Sequence, residues 1–436
     1  GSSNYIWVDG DCIPAPHDWT VEEPYPGGAA QSGGDIVKVA LLCEYSRDMG
    51  AYQGSNIYIT ELITRLAGRD DIDLHLITMG RENAVRQEEG FTHHILRKDG
   101  PLSLPYFHPL VLLRMVKTVR AIRPDIVHAL STRYPCSTAA VLLQNDYPSL
   151  VTAFGIFERE IAHYREDMPP LERMLSHIFH TFFIRNERWV LSRAPELVVD
   201  APSIGDLVRT PTTGRIHVVA AGLDLERLRP QILSPPAGEG PDIVFINTLT
   251  RLKGADILLS ALPGVVEAYP GIRACIGGKG PQAPELRRLA RDLGLEANVI
   301  FPGFVPDEEK YRYYRQCKMV VVPSRWDCQP SPLFEAAAFG KPVVASDMAH
   351  PGIVEDGVTG LIFRSDDAAG LEEKILFLLD DDAARERMGR AAAARVGEYD
   401  WPRVVDRYVT IYQDAVREHR RGGKRATAPA GASPER

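Results

Sequence analysis

The sequence predicts an α/β protein with two doubly wound, Rossmann-like domains that face each other across a cleft. Three observations carry this. From residue 36 onward, short β-branched runs alternate with amphipathic stretches, the pattern of a parallel sheet with helices on both faces. A Pro- and Gly-dense segment, "PQILSPPAGEGP" at 230–241, interrupts the alternation and reads as a linker. Beyond it the alternation resumes, with enough apolar runs for a second sheet.

In chain order, residues 1–35 are rich in Pro, Gly, Asp and Glu and lack periodicity, so an irregular extension is expected there. The first domain is assigned to 36–229 and opens with the strand-like "IVKVALLCEYS" (36–46). In the following helix Ile59, Leu62, Ile63 and Leu66 fall on one face. The runs "DLHLITM", "DIVHAL", "SLVTAF", "ELVVDA" and "RIHVVA" continue the sheet, and His128 in "DIVHAL" reads as a satisfied core histidine. The second domain is assigned to 242–400, with strands "DIVFIN", "IRACIGG", "NVIFPG", "MVVVPS", "PVVAS" and "GLIF". A helix over 401–420 is expected to cross back to the first domain, and 421–436 to be a disordered tail.

Composition narrows the function. With 436 residues, 44% apolar and 25% charged, the chain is in the ordinary globular range. A formal charge of -8 argues against nucleic acid as the main partner. The six cysteines, at 12, 43, 136, 275, 317 and 328, form no CxxC or His/Cys metal spacing. Free buried thiols suit a reducing compartment, so a cytoplasmic location without a signal peptide is expected. No stretch approaches the ~20 apolar residues that span a bilayer. The apolar stripe of 171–193 and the basic stretch 112–124 are candidates for touching a membrane surface, but core-facing helices account for both. Nothing here speaks to oligomeric state.

The chemistry concentrates in 319–347, "MVVVPSRWDCQPSPLFEAAAFGKPVVASD". The strand ends at Ser324, and a helix is expected with Ser331 as N-cap and Pro332 at its first position. Such a helix aims unpaired N–H groups and a partial positive charge into the cleft, which suits phosphate. Asp327 and Glu335 flank that end. A carboxylate repels phosphate but accepts two vicinal hydroxyls, so a ligand with phosphates between two polyols fits: a nucleotide sugar. On this stretch alone a second reading stands beside it, in which Glu335 complements the helix dipole and Asp327 is a turn residue. Two further strand ends tip the balance. Lys253-Gly254 follows the first strand of the second domain, where a lysine can neutralise a leaving diphosphate. "CIGGKGP" (275–281) is Gly-rich and lets backbone approach a ligand closely.

These motifs resemble a known family. Residues 36–420 look like a retaining GT-B glycosyltransferase of glycosyltransferase family 4, most specifically through "RLKGADILLSAL", "IGGKGP" and the stretch from "VIFPGF" to "GLIF". The family's E-x7-E motif falls on Asp327 and Glu335, here D-x7-E. "IHVVAAGLD" (216–224) is similar to the stretch before the family's linker, and "GAYQGSNIYITELITRL" (50–66) matches its Gly-rich loop and helix, with Gly54 on a motif glycine. The resemblance implies that Glu335 binds ribose hydroxyls, Asp327 the transferred sugar, and Lys253 the diphosphate. Gln329, Pro330, Ser331, Pro332 and Leu333 would line phosphate or sugar, and Gly278, Gly280 and Gly303 the nucleotide. Three positions depart from the family. Thr248 stands where an arginine is usual, with Arg251 the nearest substitute; Phe154 stands where an "HG" histidine is usual; and the first acid is Asp.

The expected activity is retaining transfer from a nucleoside diphosphate sugar, UDP- or GDP-linked, to a small-molecule or glycan acceptor. No metal or other cofactor is expected; the "DGD" (9–11) and "DID" (71–73) acid pairs read as turn residues. Front-face displacement, in which the leaving phosphate helps deprotonate the acceptor, needs no carboxylate nucleophile. Acceptor candidates in the first domain are Arg133, Glu158, Glu160 and His163, for each of which a solvated surface position is the competing reading. Two rivals remain at this level: a sugar-nucleotide epimerase on the same architecture, and a degenerate nucleotide-sugar-binding module.

Overall fold

The computed structural model describes residues 5–8, 11–14, 36–44, 54–98, 109–158, 170–209, 214–235, 238–349 and 352–426. Residues 1–35 form one compact unit and residues 36–436 another. In the first unit, β1 (Tyr5–Val8) and β2 (Asp11–Pro14) pair antiparallel, Tyr5 opposite Pro14. This corrects the expected irregular extension within 5–14: four-residue strands are too short to show periodicity.

The second unit holds two sheets. The first has β3 (Val37–Leu42), β4 (Ile72–Gly80), β5 (Ala84–Glu88), β6 (Phe91–Arg97), β7 (Ile126–Ala129), β8 (Ser149–Ala153), β9 (Glu196–Val199) and β10 (Arg215–Val218). Their order is β10-β9-β8-β7-β3-β4-β6-β5. Every pairing is parallel except that of β5 with β6. The central strand β3 is buried on both faces. Val39 and Leu41 join the cluster containing Leu62 and Leu66, while Ala40 and Leu42 join the one containing Val111, Met115 and Val119. Two-sided burial is why these strands read as continuous apolar runs.

The second sheet comprises β11 (Ile243–Ile246), β12 (Ala274–Gly277), β13 (Val299–Gly303), β14 (Met319–Val322), β15 (Val343–Ser346) and β16 (Gly360–Phe363). Its order, β13-β12-β11-β14-β15-β16, is parallel throughout. The reversal at β11 and β14 opens a crevice at their carboxyl ends, the usual ligand position in such sheets.

Between the sheets, the helix Leu225–Leu233 carries Pro230 inside it and is capped by Asp224, whose side chain accepts from the Arg227 amide at 2.9 Å. The expected linker start at 230 is thus corrected to after Leu233. One proline deletes a single helical hydrogen bond, and the cap outweighs it in so short a helix.

The helix Trp401–Ala426 lies against the first sheet. Its Tyr412 hydroxyl is 2.7 Å from His128 Nδ1, and His128 Nε2 is 2.7 Å from Thr152 Oγ1. Tyr58 donates to Tyr408 at 2.9 Å, and Arg69 and Arg420 pair with Asp406 and Asp125. His128 is a core histidine with both nitrogens satisfied, and burial pushes its pKa down to about 3. The helix runs past 420 to Ala426, so the expected tail begins later; the apolar stripe stops at Val416, leaving the last turns no periodic signal. Residues 427–436 lie outside the described residues. No helix among the described residues is long and apolar enough to cross a membrane.

Candidate active site

Two strand ends converge first. After β11 the chain makes a short 3-10 turn, Arg251–Lys253, ended by Gly254 at φ +73°. A Cβ on Gly254 would lie 2.0 Å from the Pro323 carbonyl oxygen, so only glycine lets this turn pack against the loop after β14. The approach carries the Lys253 ammonium to Asp327, where Nζ donates to Oδ2. Both side chains are largely enclosed, 19% and 12% exposed. Lysine and acid are 74 positions apart in the chain, so the contact belongs to the tertiary structure.

Arg325 braces that junction. Its guanidinium reaches both Asp256 oxygens at 2.9 and 2.7 Å, Asp366 at 2.7 Å and the Arg251 carbonyl at 2.6 Å. Its own amide donates to the Leu252 carbonyl at 2.8 Å. Bidentate pairing of this kind fixes direction as well as distance. The lysine turn and the Asp327 loop are held by one side chain that the sequence reading passed over.

The second acid sits on the helix Ser331–Ala338. That helix begins one residue before the expected start: Ser331 is its first residue and Pro330, with extended backbone, precedes it. Pro332 fits the first turn equally well, so proline alone does not fix the register. No side chain caps this end; Pro332 carries no N–H and the Leu333 amide donates to the Pro330 carbonyl at 3.1 Å, which leaves the Ser331 amide and the positive end of the helix dipole for another acceptor. Glu335 lies in the second turn. Lys310 Nζ donates to its Oε1 at 2.7 Å and Tyr314 to its Oε2 at 3.1 Å. Burial works against the Lys310 charge, but Glu335 beside it prevails and raises the lysine's pKa above the ordinary value. Burial, then Glu335, pushes the Tyr314 phenol well above its usual range.

The other expected donor residues lie around this edge. Thr248 is exposed and its amide bonds Asn247 Oδ1 at 2.8 Å; Arg251 is exposed in the turn before Lys253. Gln329 Oε1 accepts from the Ala221 amide, tying the Asp327 loop to the segment after β10. Ser331 is exposed, Pro332 half-buried, and Leu333 buried in the core, so Leu333 can offer a ligand only its backbone. The glycines have a reason of their own. A Cβ on Gly278 would lie 1.8 Å from the Asn247 carbonyl oxygen, and one on Gly280 would lie 2.2 Å from that of Leu249. The backbone that approaches "IGGKGP" so closely is the chain's own. Gly303, at φ +78°, accepts from the Gly278 amide at 2.6 Å.

Across from these loops, Leu252, Trp326 and Cys328 are buried in the same apolar cluster as Leu42, Ala129 and Val199 of the first sheet. A cavity beside them is lined by Asp200, Ala220, Gln329, Phe334, Tyr399 and Arg407. Of the acceptor candidates, Arg133 and Glu158 lie on adjoining loops. Arg133 is exposed and stacks over the Phe157 ring at 5.7 Å. Glu158 is held by Arg188 in an exposed ion pair. Gly54 opens the helix Gly54–Ala67, and Glu160 and His163 lie outside the described residues. Phe154 turns its ring edge onto Tyr58, centroids 4.8 Å apart.

Two acids here escaped the sequence reading. Glu44 follows β3, and burial, opposed by Arg133 and Lys98, pushes its pKa up to about 7; its signal was an acid at the carboxyl end of the first strand. Glu187 is buried and accepts from Thr132 at 2.6 Å and from the Phe157 and Glu158 amides, so it ties together the loops after β7 and β8. No group of three or more metal-ligating side chains occurs among the described residues.

Comparison with known proteins places the chain in a family. Residues 52–227 match the family model "Glycosyltransferase Family 4" and residues 232–395 match "Glycosyl transferases group 1". A glycogen synthase of Mycobacterium tuberculosis is 27% identical over 412 residues, 93% of each chain. A D-inositol 3-phosphate glycosyltransferase of Nocardia farcinica is 32% identical over 231 residues, about half of each chain. Among solved structures, sucrose-phosphate synthase from Thermosynechococcus elongatus superposes with a TM-score of 0.63 at 20% identity, over 87% of this chain and 98% of that one. Anabaena HepE in complex with UDP gives 0.63 at 18% identity, over 87% and 100%. Matched segments spanning both sheets, on an architecture shared with these structures, establish that the chain belongs to glycosyltransferase family 4, the retaining GT-B glycosyltransferases that use nucleotide sugar donors.

Proposed function

We propose that this enzyme transfers a sugar, with retention, from a UDP- or GDP-sugar to a small-molecule or glycan acceptor, without a metal ion. The observation that carries the proposal is the meeting of Lys253 and Asp327 beside an uncapped helix that bears Glu335. Lys253 neutralises the leaving diphosphate together with the Ser331 amide and the positive end of the helix Ser331–Ala338. Asp327 accepts from hydroxyls of the transferred sugar and Glu335 from those of the ribose. Lys253 is within hydrogen-bonding reach of Asp327, so one cation can serve both the departing phosphate and the acid that orients the sugar. The leaving phosphate oxygen takes the acceptor proton on the face it has just vacated, and positioning accounts for the remaining acceleration.

The UDP bound by HepE supports a uridine donor first. The relatives' names, a glycogen synthase and inositol-phosphate glycosyltransferases, support a polyol-like or glycan acceptor. A thermal-shift screen against UDP-, GDP-, ADP- and dTDP-sugars, with and without EDTA, tests the donor half. A shift of several degrees for UDP- or GDP-sugars, unchanged by EDTA and lost in Lys253→Ala, is expected. A shift that requires a divalent cation removes the metal-free mechanism. No shift with any donor removes the site.

A further inference from the structure

We propose that Lys310 is a positioning residue that presets Glu335 to receive the donor's ribose, and so makes donor binding selective for an intact ribose diol. This rests on the assignment of Glu335 to the ribose. Lys310 comes from the helix Asp307–Gln316, which follows β13, so a third strand end contributes to the site. Its ammonium is 2.7 Å from Glu335 Oε1 and 3.1 Å from Asp307, and it rests 4.9 Å above the Tyr311 ring centroid.

Three physical arguments make this more than an incidental ion pair. The Lys310 and Glu335 side chains are only 15% and 12% exposed. At that depth an ion pair contributes little net stability against apolar replacements, so scaffolding alone accounts poorly for it. The hydrogen bonds are also divided: Lys310 takes one lone-pair direction on Oε1 and Tyr314 one on Oε2. A carboxylate has about four acceptor directions, so one is left on each oxygen, the arrangement that two vicinal hydroxyls need. Finally, Lys310 and Tyr314 are four positions apart on one helix face, and each holds one oxygen of the carboxylate. The group is oriented before a ligand arrives, which lowers the ordering cost of binding.

The test is calorimetric titration of the full chain with UDP and GDP and with their 2′-deoxy and 3′-deoxy counterparts. The wild type, Lys310→Met, Lys310→Arg and Glu335→Gln are compared, with thermal unfolding as a check on folding. The wild type is expected to prefer the ribonucleotide by about tenfold to a hundredfold. In Lys310→Met that preference falls to within about threefold of unity, Lys310→Arg restores most of it, and Glu335→Gln abolishes it. A merely structural lysine weakens all the nucleotides by one common factor and leaves the preference intact; that result overturns the proposal while sparing the donor site. A wild type that binds UDP or GDP with no ribose preference overturns both this proposal and the ribose assignment. A wild type that binds neither nucleotide removes the donor reading and this proposal with it.

Discussion

The carboxyl edge of the second sheet and the seam under the helix Trp401–Ala426 both bury polar side chains, but in opposite ways. At the edge the groups are charged and matched in pairs: Lys253 with Asp327, Lys310 with Glu335, Arg325 with Asp256 and Asp366. At the seam the deeply buried groups are neutral: His128 between Tyr412 and Thr152, and Tyr58 against Tyr408. At the edge each largely enclosed charge is matched by an opposite one. The seam excludes water, so its groups satisfy each other without ionising. On the proposed function, one region is arranged for a ligand and the other for the fold.

Substitutions sharpen that contrast. The largest effect is expected at Lys253. On the proposed mechanism Lys253→Ala removes the cation that faces the leaving group, and a fall in kcat of about 10²- to 10³-fold is expected, the range for losing one transition-state charge contact. An initial-rate assay of nucleoside diphosphate release measures it, and a raised donor KM with kcat unchanged reassigns Lys253 to ground-state binding.

Next comes pH dependence at the seam. The folded protein keeps His128 neutral down to about pH 3, whereas the unfolded chain takes up a proton near the ordinary value of 6.5. The stability His128 contributes is therefore complete above 6.5 and is lost as pH falls from there toward 3, by about 1.4 kcal/mol per pH unit. Urea unfolding at several pH values should show this slope in the wild type and a shallower one in His128→Gln. Equal slopes contradict the neutral seam.

Arg325→Met links the two behaviours, since it leaves Asp256 and Asp366 without their shared partner and loosens the turn that carries Lys253. A loss of about 1–2 kcal/mol in stability is expected, together with a roughly tenfold fall in kcat/KM. Full activity in a destabilised variant separates the brace from the catalytic turn. The smallest effect is at Tyr314→Phe, where one hydrogen bond to Glu335 is lost, about 1 kcal/mol or some fivefold in donor KM. No change in donor KM reduces Tyr314 to a packing residue.

Much of this was legible in the sequence because it is local. Strand–helix alternation, the buried stripe of Ile59, Leu62, Ile63 and Leu66, and the D-x7-E spacing are all set within a few turns of chain. The Gly-rich turn was visible too, but its cause was not: Gly278 and Gly280 make room for Asn247 and Leu249, backbone some thirty positions away. Lys310 and Arg325 escaped notice because a charged residue on an amphipathic helix or in a loop is ordinarily solvated. Only burial against a partner distant in sequence distinguishes them.

By itself the sequence determined the two-sheet architecture and pointed to the strand ends at which Lys253, Asp327 and Glu335 are proposed to act. Apolar periodicity, glycine and proline act over neighbouring residues and need no partner to be read. The tertiary structure alone decided which charges meet. Lys253 and Asp327 are 74 positions apart, Lys310 and Glu335 25, and Arg325 and Asp256 69. An ion pair depends on distance in space, and only the parallel order β13-β12-β11-β14 brings those strand ends onto one edge.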